Sequence, residues 1–138
     1  MNTEKKLTLL IDDDSLCNSI SKILLKKNFH FNSEDEFEII SFSKPIEGLA
    51  FLKDSLQQDK FQKILILLDI NMPVMSGWEF LKEYEHLFKK QIDIKIYMLT
   101  SSVSKADMDK AEKNKFVMDF ISKPLTPEMI ENLYKVMS

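Results

Sequence analysis

The chain has 138 residues with a formal net charge of −3, and its 19 basic residues are all lysines; this size suits one domain with its own hydrophobic core. The single cysteine, Cys17, excludes an internal disulfide and a cysteine-based zinc cluster, and no apolar run approaches the ~20 residues of a membrane span or resembles a signal-peptide core. Arginine is the usual ligand for phosphates and guanine edges, so its absence weighs against nucleic-acid binding. From these features together we expect a single cytoplasmic domain over 1–138 that binds no membrane.

The amino-terminal half predicts two strands, each followed by a helix. A strand over 7–11 ends abruptly at three aspartates. The helix after it, which ends near Lys27, carries apolar side chains at helical spacing: Leu16, Ile20, Ile23 and Leu24. A second strand is predicted over 37–42. Pro45 suits the first position of the next helix, whose inward side chains are predicted to be Ile46, Leu49, Ala50 and Leu52.

The carboxy-terminal half predicts three more strands with helices between them. Residues 64–68 are apolar without alternation, which is typical of a strand buried on both faces, and Asp69 follows directly. Further strands are predicted over 92–99 and 116–121. Helices are expected after Gly77, over 105–114, and after the cap residue Thr126; the first of these is predicted to carry Phe80, Leu81, Tyr84, Leu87 and Phe88 on or near one side.

Five strand–helix units predict an α/β domain with a doubly wound parallel sheet and helices on both faces. Such sheets bind ligands at the carboxyl ends of their strands. Asp12 and Asp13 follow the first strand, Asp69 the third, Thr100 the fourth and Lys123 the fifth. Crowded carboxylates repel unless a cation lies among them, and oxygen ligands without histidine or cysteine favour Mg²⁺. The pattern therefore indicates phosphoryl transfer, with Asp69 as a carboxylate nucleophile.

Each of these residues has an ordinary structural explanation when it is taken alone. Aspartates after a strand often cap the next helix, which is an expected role for Asp14, and a strand-end aspartate is more often a turn residue than a nucleophile. Thr100 and Lys123 alone would be a turn hydroxyl and a solvated surface residue. These groups follow four different strands, whose ends lie on one edge of the sheet, and chance alone would not produce this arrangement. The combination therefore favours a phosphoryl-transfer site over four unrelated structural roles.

At the level of motifs, the chain resembles the receiver domains of response regulators, the CheY-like family. The segment Asp69-Ile70-Asn71-Met72-Pro73-Val74-Met75-Ser76-Gly77 is similar to the phosphoacceptor segment of that family. The pair Asp12-Asp13, the strand-end Thr100 and the pair Lys123-Pro124 match its other motifs in order and approximate spacing. The resemblance implies a flavodoxin-like sheet with strand order 2-1-3-4-5 and a stand-alone phosphoacceptor switch rather than an enzyme. A sensor histidine kinase or a histidine phosphotransfer protein would donate the phosphoryl group.

The same resemblance implies how the acidic rim would work. Asp69 would be phosphorylated, and Mg²⁺ would be held by the side chains of Asp13 and Asp69, by the backbone carbonyl of Asn71, and by Asp12 through water. Lys123 would pair with the Asp69 carboxylate or with its phosphoryl group. Asn71 also occupies a position that tunes hydrolysis of the acyl phosphate in this family.

A second set of residues would carry the signal. Thr100 would bind a phosphoryl oxygen and move on activation together with Phe120. Ser101 is small, as access to the phosphoryl group requires, and Ser102 occupies the other hydrolysis-tuning position. Pro124 is a candidate for a cis peptide bond. The resemblance places the contact with a downstream protein on the fourth helix, fifth strand and fifth helix.

Two other functions are open from the sequence. A phosphotransferase of the haloacid-dehalogenase kind also uses a strand-end aspartate, but it needs a second acid where this chain has Asn71, and its acidic pair follows the lysine rather than preceding it as Asp12 and Asp13 do. The other alternative is a binding module that is no longer phosphorylated. Trp78, at the start of the third helix, is predicted to pack rather than to bind a partner.

Overall fold

Five strands and five helices alternate in the computed structural model, which describes residues 4–29 and 36–138. They are β1 (Lys5–Ile11), α1 (Ser15–Asn28), β2 (Glu36–Phe42), α2 (Pro45–Gln57), β3 (Lys63–Asp69), α3 (Gly77–Glu85), β4 (Asp93–Thr100), α4 (Lys105–Lys113), β5 (Val117–Ser122) and α5 (Pro127–Met137). The predicted strands and helices are thus all present, with small shifts at their ends. Helix α3 stops at Glu85, so Leu87 and Phe88 lie beyond it. Among the described residues, no helix is both long and apolar enough to cross a membrane.

The strands form one parallel sheet in the order β2-β1-β3-β4-β5, which confirms the predicted doubly wound fold. Alternate side chains of β3 enter two separate cores. Ile64, Ile66 and Leu68 pack in a core with side chains of α2 and α3, whereas Leu65 and Leu67 pack in a core with side chains of α1 and α5. The sheet is therefore covered on both faces, and its carboxyl edge is left for the loops that carry the polar residues.

Most of the predicted apolar face of α1 does not enter the core, although Leu24 is half-buried and packs against it. Leu16, Ile20 and Ile23 are 70%, 47% and 65% exposed, and the buried residues of the helix are Asn18, Ser21 and Leu25. Asn18 fixes this orientation because its side-chain amide donates hydrogen bonds to the backbone carbonyls of Asp12 at 2.8 Å and Phe42 at 3.2 Å. The polar face of α1 is thus tied to the ends of β1 and β2, and the apolar stripe points to solvent.

The predicted inward face of α2 is also partly wrong. Ile46 is 56% exposed and Ala50 is exposed as well, whereas Leu49 is half-buried and Leu52 is buried. The buried face instead follows Pro45, Gly48, Leu52, Ser55 and Leu56. A Cβ atom on Gly48 would lie 2.8 Å from Cδ1 of Ile11, so the glycine lets α2 approach β1 closely.

Candidate functional site

Three carboxylates meet where β1 and β3 end. Ile11 pairs with Leu68 in the parallel register, so Asp12 and Asp69, the next residue on each strand, lie side by side. Asp12 is 1% exposed and Asp69 is 5% exposed, whereas Asp13 is open to solvent. Carboxylate oxygens of the three residues lie within 4.8 Å of one another.

Lys123 reaches this cluster from the end of β5. Its Nζ lies 2.7 Å from Oδ2 of Asp12 and 3.2 Å from Oδ1 of Asp69, and the side chain is only 18% exposed. The lysine is held in place from β4, because its backbone N–H donates to the carbonyl of Thr100 at 2.9 Å. The Lys123–Pro124 peptide bond is cis. The sheet thus directs one cation at two buried acids.

Asp12, Asp69 and Lys123 shift one another's pKa values unequally. Burial and the neighbouring charge of Asp12 raise the pKa of Asp69 to about 7, against the opposing effect of Lys123. Burial also opposes ionisation of Asp12, but the hydrogen bond from Lys123 and a backbone hydrogen bond from Asp14 outweigh it and lower the pKa of Asp12. Burial disfavours the charged lysine too, yet the two carboxylates raise the pKa of Lys123. Lys123 therefore compensates the charge of Asp12 more than that of Asp69, and the ionised form of Asp69 would be stabilised by a further cation.

The residues present fit a magnesium ion. All the donors in the cluster are carboxylate oxygens, which a hard divalent cation prefers. Apart from its ion pair with Lys123, Oδ2 of Asp12 has no hydrogen-bond partner among the described residues. Asn71, whose carbonyl is the fourth expected ligand, lies two residues beyond β3 in an exposed loop position.

Thr100 ends β4 beside the cluster, but its hydroxyl is turned toward its own loop. Asp69 pairs with Leu99, so Thr100 follows one residue further along the neighbouring strand. It is 1% exposed. Its hydroxyl donates to the carbonyl of Ser102 and accepts from the backbone N–H of Ser102 at 3.1 Å. A hydroxyl has one proton, so in this arrangement Thr100 offers none to Asp69.

Phe120 lies on the outer strand, β5. It pairs with Met98 and lines a groove of about 530 Å³ between α4 and β5, together with Val103, Met108 and Met118. The structure therefore brings Asp12, Asp13, Asp69 and Lys123 together and places Thr100 beside them, whereas Phe120 lines a groove to which none of these residues contributes.

Several contacts around the site have no signal in the sequence pattern. A Cβ atom on Gly77 would lie 2.5 Å from the carbonyl oxygen of Asp69, and the N–H of Gly77 donates to the carbonyl of Ile70 at 2.8 Å. Helix α3 therefore begins directly against the end of β3. Trp78, the next residue, donates from Nε1 to Oδ1 of Asp107 at 3.0 Å, a polar contact that the predicted packing role did not include.

Comparison with known proteins decides the family. Residues 8–135 match the family model of the response regulator receiver domain. The chain belongs to this family. Receiver domains are modules of two-component systems and are generally phosphoacceptor switches.

Individual relatives agree with this assignment. The receiver is 28% identical over 131 residues to the transcriptional regulatory protein FlgR of Helicobacter pylori, covering 94% of this chain and 29% of FlgR. It is 28% identical over 118 residues to a protein-glutamate methylesterase/protein-glutamine glutaminase of Methanococcoides burtonii, covering 85% of this chain and 29% of that protein. A solved two-component response regulator from Cytophaga hutchinsonii superposes with a TM-score of 0.76 at 29% identity, covering 98% of both chains. The chain thus spans under a third of these two curated relatives and nearly all of this solved one.

Proposed function

We propose that this receiver domain accepts a phosphoryl group on Asp69 from a phosphohistidine and passes the signal on through altered protein contacts, as a response regulator in a two-component system or phosphorelay. The observation that carries the proposal is the Asp12–Asp13–Asp69 cluster with Lys123 Nζ 2.7 and 3.2 Å from its two buried members.

The proposed chemistry needs only groups that this cluster offers. An oxygen of Asp69 attacks the phosphorus of the phosphohistidine, the O–P bond forms as the P–N bond breaks, and the imidazole nitrogen leaves with the electron pair. Asp13 and Asp69 would hold Mg²⁺ with side-chain oxygens, Asn71 with its carbonyl, and Asp12 through water; the bound ion would offset negative charge on the phosphoryl oxygens. Lys123 already lies between the two buried acids and would follow the charge to the acyl phosphate.

The proposed signal begins at Thr100. A phosphoryl group on Asp69 adds oxygens that accept hydrogen bonds, so we expect the hydroxyl to leave the carbonyl of Ser102 and donate to one of them. That movement would displace the loop 101–104 at the start of α4 and free Phe120 to shift. The groove between α4 and β5 would change shape, and we propose this side of the domain, with α5, as the surface for a downstream protein.

The exposed apolar side chains support docking of a donor protein over the site. Among the described residues, the large ones that are exposed fall into two groups. One group, Val103, Met108 and Met118, lies around the groove between α4 and β5. The other lies on α1, at the start of α2 and in the loop after β3: Leu16, Ile20, Ile23, Ile46 and Val74. Ile46 and Val74 line a pocket of about 470 Å³ together with Asp13. Exposed apolar surface next to a reactive group is typical of a protein-binding face, so we propose that the phosphohistidine protein covers this group.

Incubation with acetyl phosphate and Mg²⁺ tests the proposed chemistry. We expect the intact mass of the protein to increase by one phosphoryl group in Mg²⁺ and not in excess EDTA. The Asp69→Asn variant, which keeps the size of the side chain, should gain no mass. An equal gain in this variant, or no gain in the wild-type protein with any small phosphodonor, would contradict the proposal.

A further inference from the structure

Helices α3 and α4 are joined by one polar contact near the site. Nε1 of Trp78 donates to Oδ1 of Asp107 at 3.0 Å. The other oxygen of Asp107 accepts from the hydroxyl of Ser104 at 2.9 Å, and the backbone N–H of Asp107 donates back to that hydroxyl at 3.1 Å. Nζ of Lys110 lies 5.9 Å from the centre of the Trp78 ring. Burial opposes ionisation of Asp107, but the hydrogen bonds from Trp78 and Ser104 outweigh it and lower its pKa, as expected for a charged acceptor.

The Trp78 end of this contact is fixed relative to the phosphoacceptor. Gly77 precedes Trp78 and packs so closely on the carbonyl of Asp69 that a Cβ atom there would lie 2.5 Å away. The capping box of α3 adds to this rigidity, because Ser76 and Glu79 bind each other's backbone N–H groups. Movement of the indole away from the end of β3 is therefore resisted by backbone packing.

The Asp107 end of the contact belongs to an element with little else to hold it. Helix α4 buries none of its residues. Its cap residue Ser104 closes the short loop that begins after Thr100, and the Thr100 hydroxyl is bound to Ser102 in the middle of that loop. A shift of Thr100 toward Asp69 would pull this loop and, through Ser104, the residue that Trp78 binds.

We propose that the Trp78–Asp107 hydrogen bond positions α4 so that Thr100 stays turned toward its own loop, and that it thereby sets how readily the site takes up a phosphoryl group. The inference rests on the proposed function of Asp69. Trp78 and Asp107 are positioning residues: they touch neither the carboxylates nor Lys123 in the contacts described above. In this structure the Trp78–Asp107 hydrogen bond occurs together with a Thr100 hydroxyl that faces its own loop. Loss of the hydrogen bond should therefore favour the arrangement in which Thr100 faces Asp69.

Titration with beryllofluoride and Mg²⁺, followed by ¹⁹F NMR of the bound fluoride, tests this role, because beryllofluoride occupies the phosphoryl position on an aspartate. Trp78→Phe keeps an aromatic ring but removes the N–H donor and makes the side chain smaller, so it is read together with the Asp107 variants, which leave the indole intact. We expect Trp78→Phe to bind beryllofluoride about 3- to 10-fold more tightly than wild type, since this is the factor that a typical net intramolecular hydrogen bond contributes. The rate of labelling by acetyl phosphate should rise by a similar factor.

Three further variants separate positioning from general packing. Asp107→Asn keeps an acceptor for the indole and should stay within about 2-fold of wild type, whereas Asp107→Ala should resemble Trp78→Phe. In the double variant Trp78→Phe/Asp107→Ala the effects should not add, because both changes remove the same contact. A purely structural role would instead weaken beryllofluoride binding in parallel with stability.

The outcomes distinguish this inference from the function it rests on. If wild type binds beryllofluoride and Trp78→Phe binds it equally or more weakly, or if the two changes add, the inference is overturned and the phosphoacceptor function stands. If wild type binds no beryllofluoride and takes no phosphoryl group, the proposed function fails and the inference fails with it.

Discussion

Replacing Asp69 with asparagine should stabilise the protein at high pH in the absence of divalent cations. The carboxylate of Asp69 is 5% exposed, lies beside a second buried acid and shares one lysine with it. Burial and the charge of Asp12 raise its pKa to about 7. Asparagine has a similar shape and carries no charge, so the variant removes the repulsion and leaves the ion pair between Lys123 and Asp12.

The sign and size follow from the two pKa values of Asp69. Its pKa is about 7 in the folded protein against an ordinary value of 3.8, so the folded form binds the proton more tightly than the unfolded chain does. This contribution to stability is complete below about pH 4 and is lost as the pH rises to about 7. One pKa unit corresponds to about 1.4 kcal/mol. Between about pH 5.5 and 8 the wild type should therefore lose about 2 kcal/mol relative to Asp69→Asn.

Urea unfolding in EDTA at several pH values measures this difference. The free energy of unfolding of Asp69→Asn minus that of wild type should increase by about 2 kcal/mol between about pH 5.5 and 8. Asp109→Asn, which changes an exposed carboxylate on α4, is the matched control and should follow the wild-type profile. Mg²⁺ should stabilise wild type more than Asp69→Asn at about pH 8. Parallel profiles for wild type and Asp69→Asn in EDTA would show that the crowded carboxylates do not raise the pKa of Asp69.

The structure makes three further predictions about single substitutions. Gly77→Ala places a Cβ atom 2.5 Å from a backbone oxygen and should cost about 1–3 kcal/mol in urea unfolding. In Gly48→Ala the Cβ atom would lie 2.8 Å from Cδ1 and 3.2 Å from Cγ1 of Ile11, a side chain rather than backbone, and the variant gains helix propensity, so it should stay within about 1 kcal/mol of wild type; equal costs would contradict this. Lys123→Met leaves buried Asp12 without its ion pair and should cost about 3–5 kcal/mol at neutral pH, with part of the loss recovered in mild acid. Leu16→Ser changes an exposed side chain and should leave stability within about 0.5 kcal/mol and acetyl-phosphate labelling unchanged, yet slow transfer from a phosphohistidine protein about 3- to 10-fold; unchanged transfer would exclude Leu16 from the donor contact.

The positions of the site residues were predictable because each follows a strand. Asp12, Asp69 and Thr100 stand directly after or at the end of apolar runs, and parallel strands bring their carboxyl ends to one edge. The order of strands and helices alone therefore predicts that these side chains lie at one edge of the sheet, although it predicts no distances between them. The distances from Nζ of Lys123 to the two acids, and its closer approach to Asp12, depend on side-chain packing, which the sequence pattern does not predict.

The orientation of α1 shows why periodicity was insufficient elsewhere. Apolar residues at helical spacing, such as Leu16, Ile20 and Ile23, indicate a helix but not which face of it is buried. The hydrogen bonds of the buried Asn18 amide determine which face of α1 packs on the sheet. The direction of the Thr100 hydroxyl is likewise a property of the folded loop rather than of sequence spacing. The contact between Trp78 and Asp107 joins residues 29 positions apart on separate helices, and neither local propensity nor hydrophobic pattern connects them.

Chemical trapping shows whether Asp69 becomes an acyl phosphate. Borohydride reduces an aspartyl phosphate to homoserine, so treatment of the protein after incubation with acetyl phosphate and Mg²⁺ marks the modified position permanently. Peptide mass spectrometry should find homoserine at position 69 and aspartate at positions 12 and 13, with no homoserine when EDTA replaces Mg²⁺. Homoserine at another aspartate, or none in protein that has gained a phosphoryl group, would contradict the assignment of Asp69 as the phosphoacceptor.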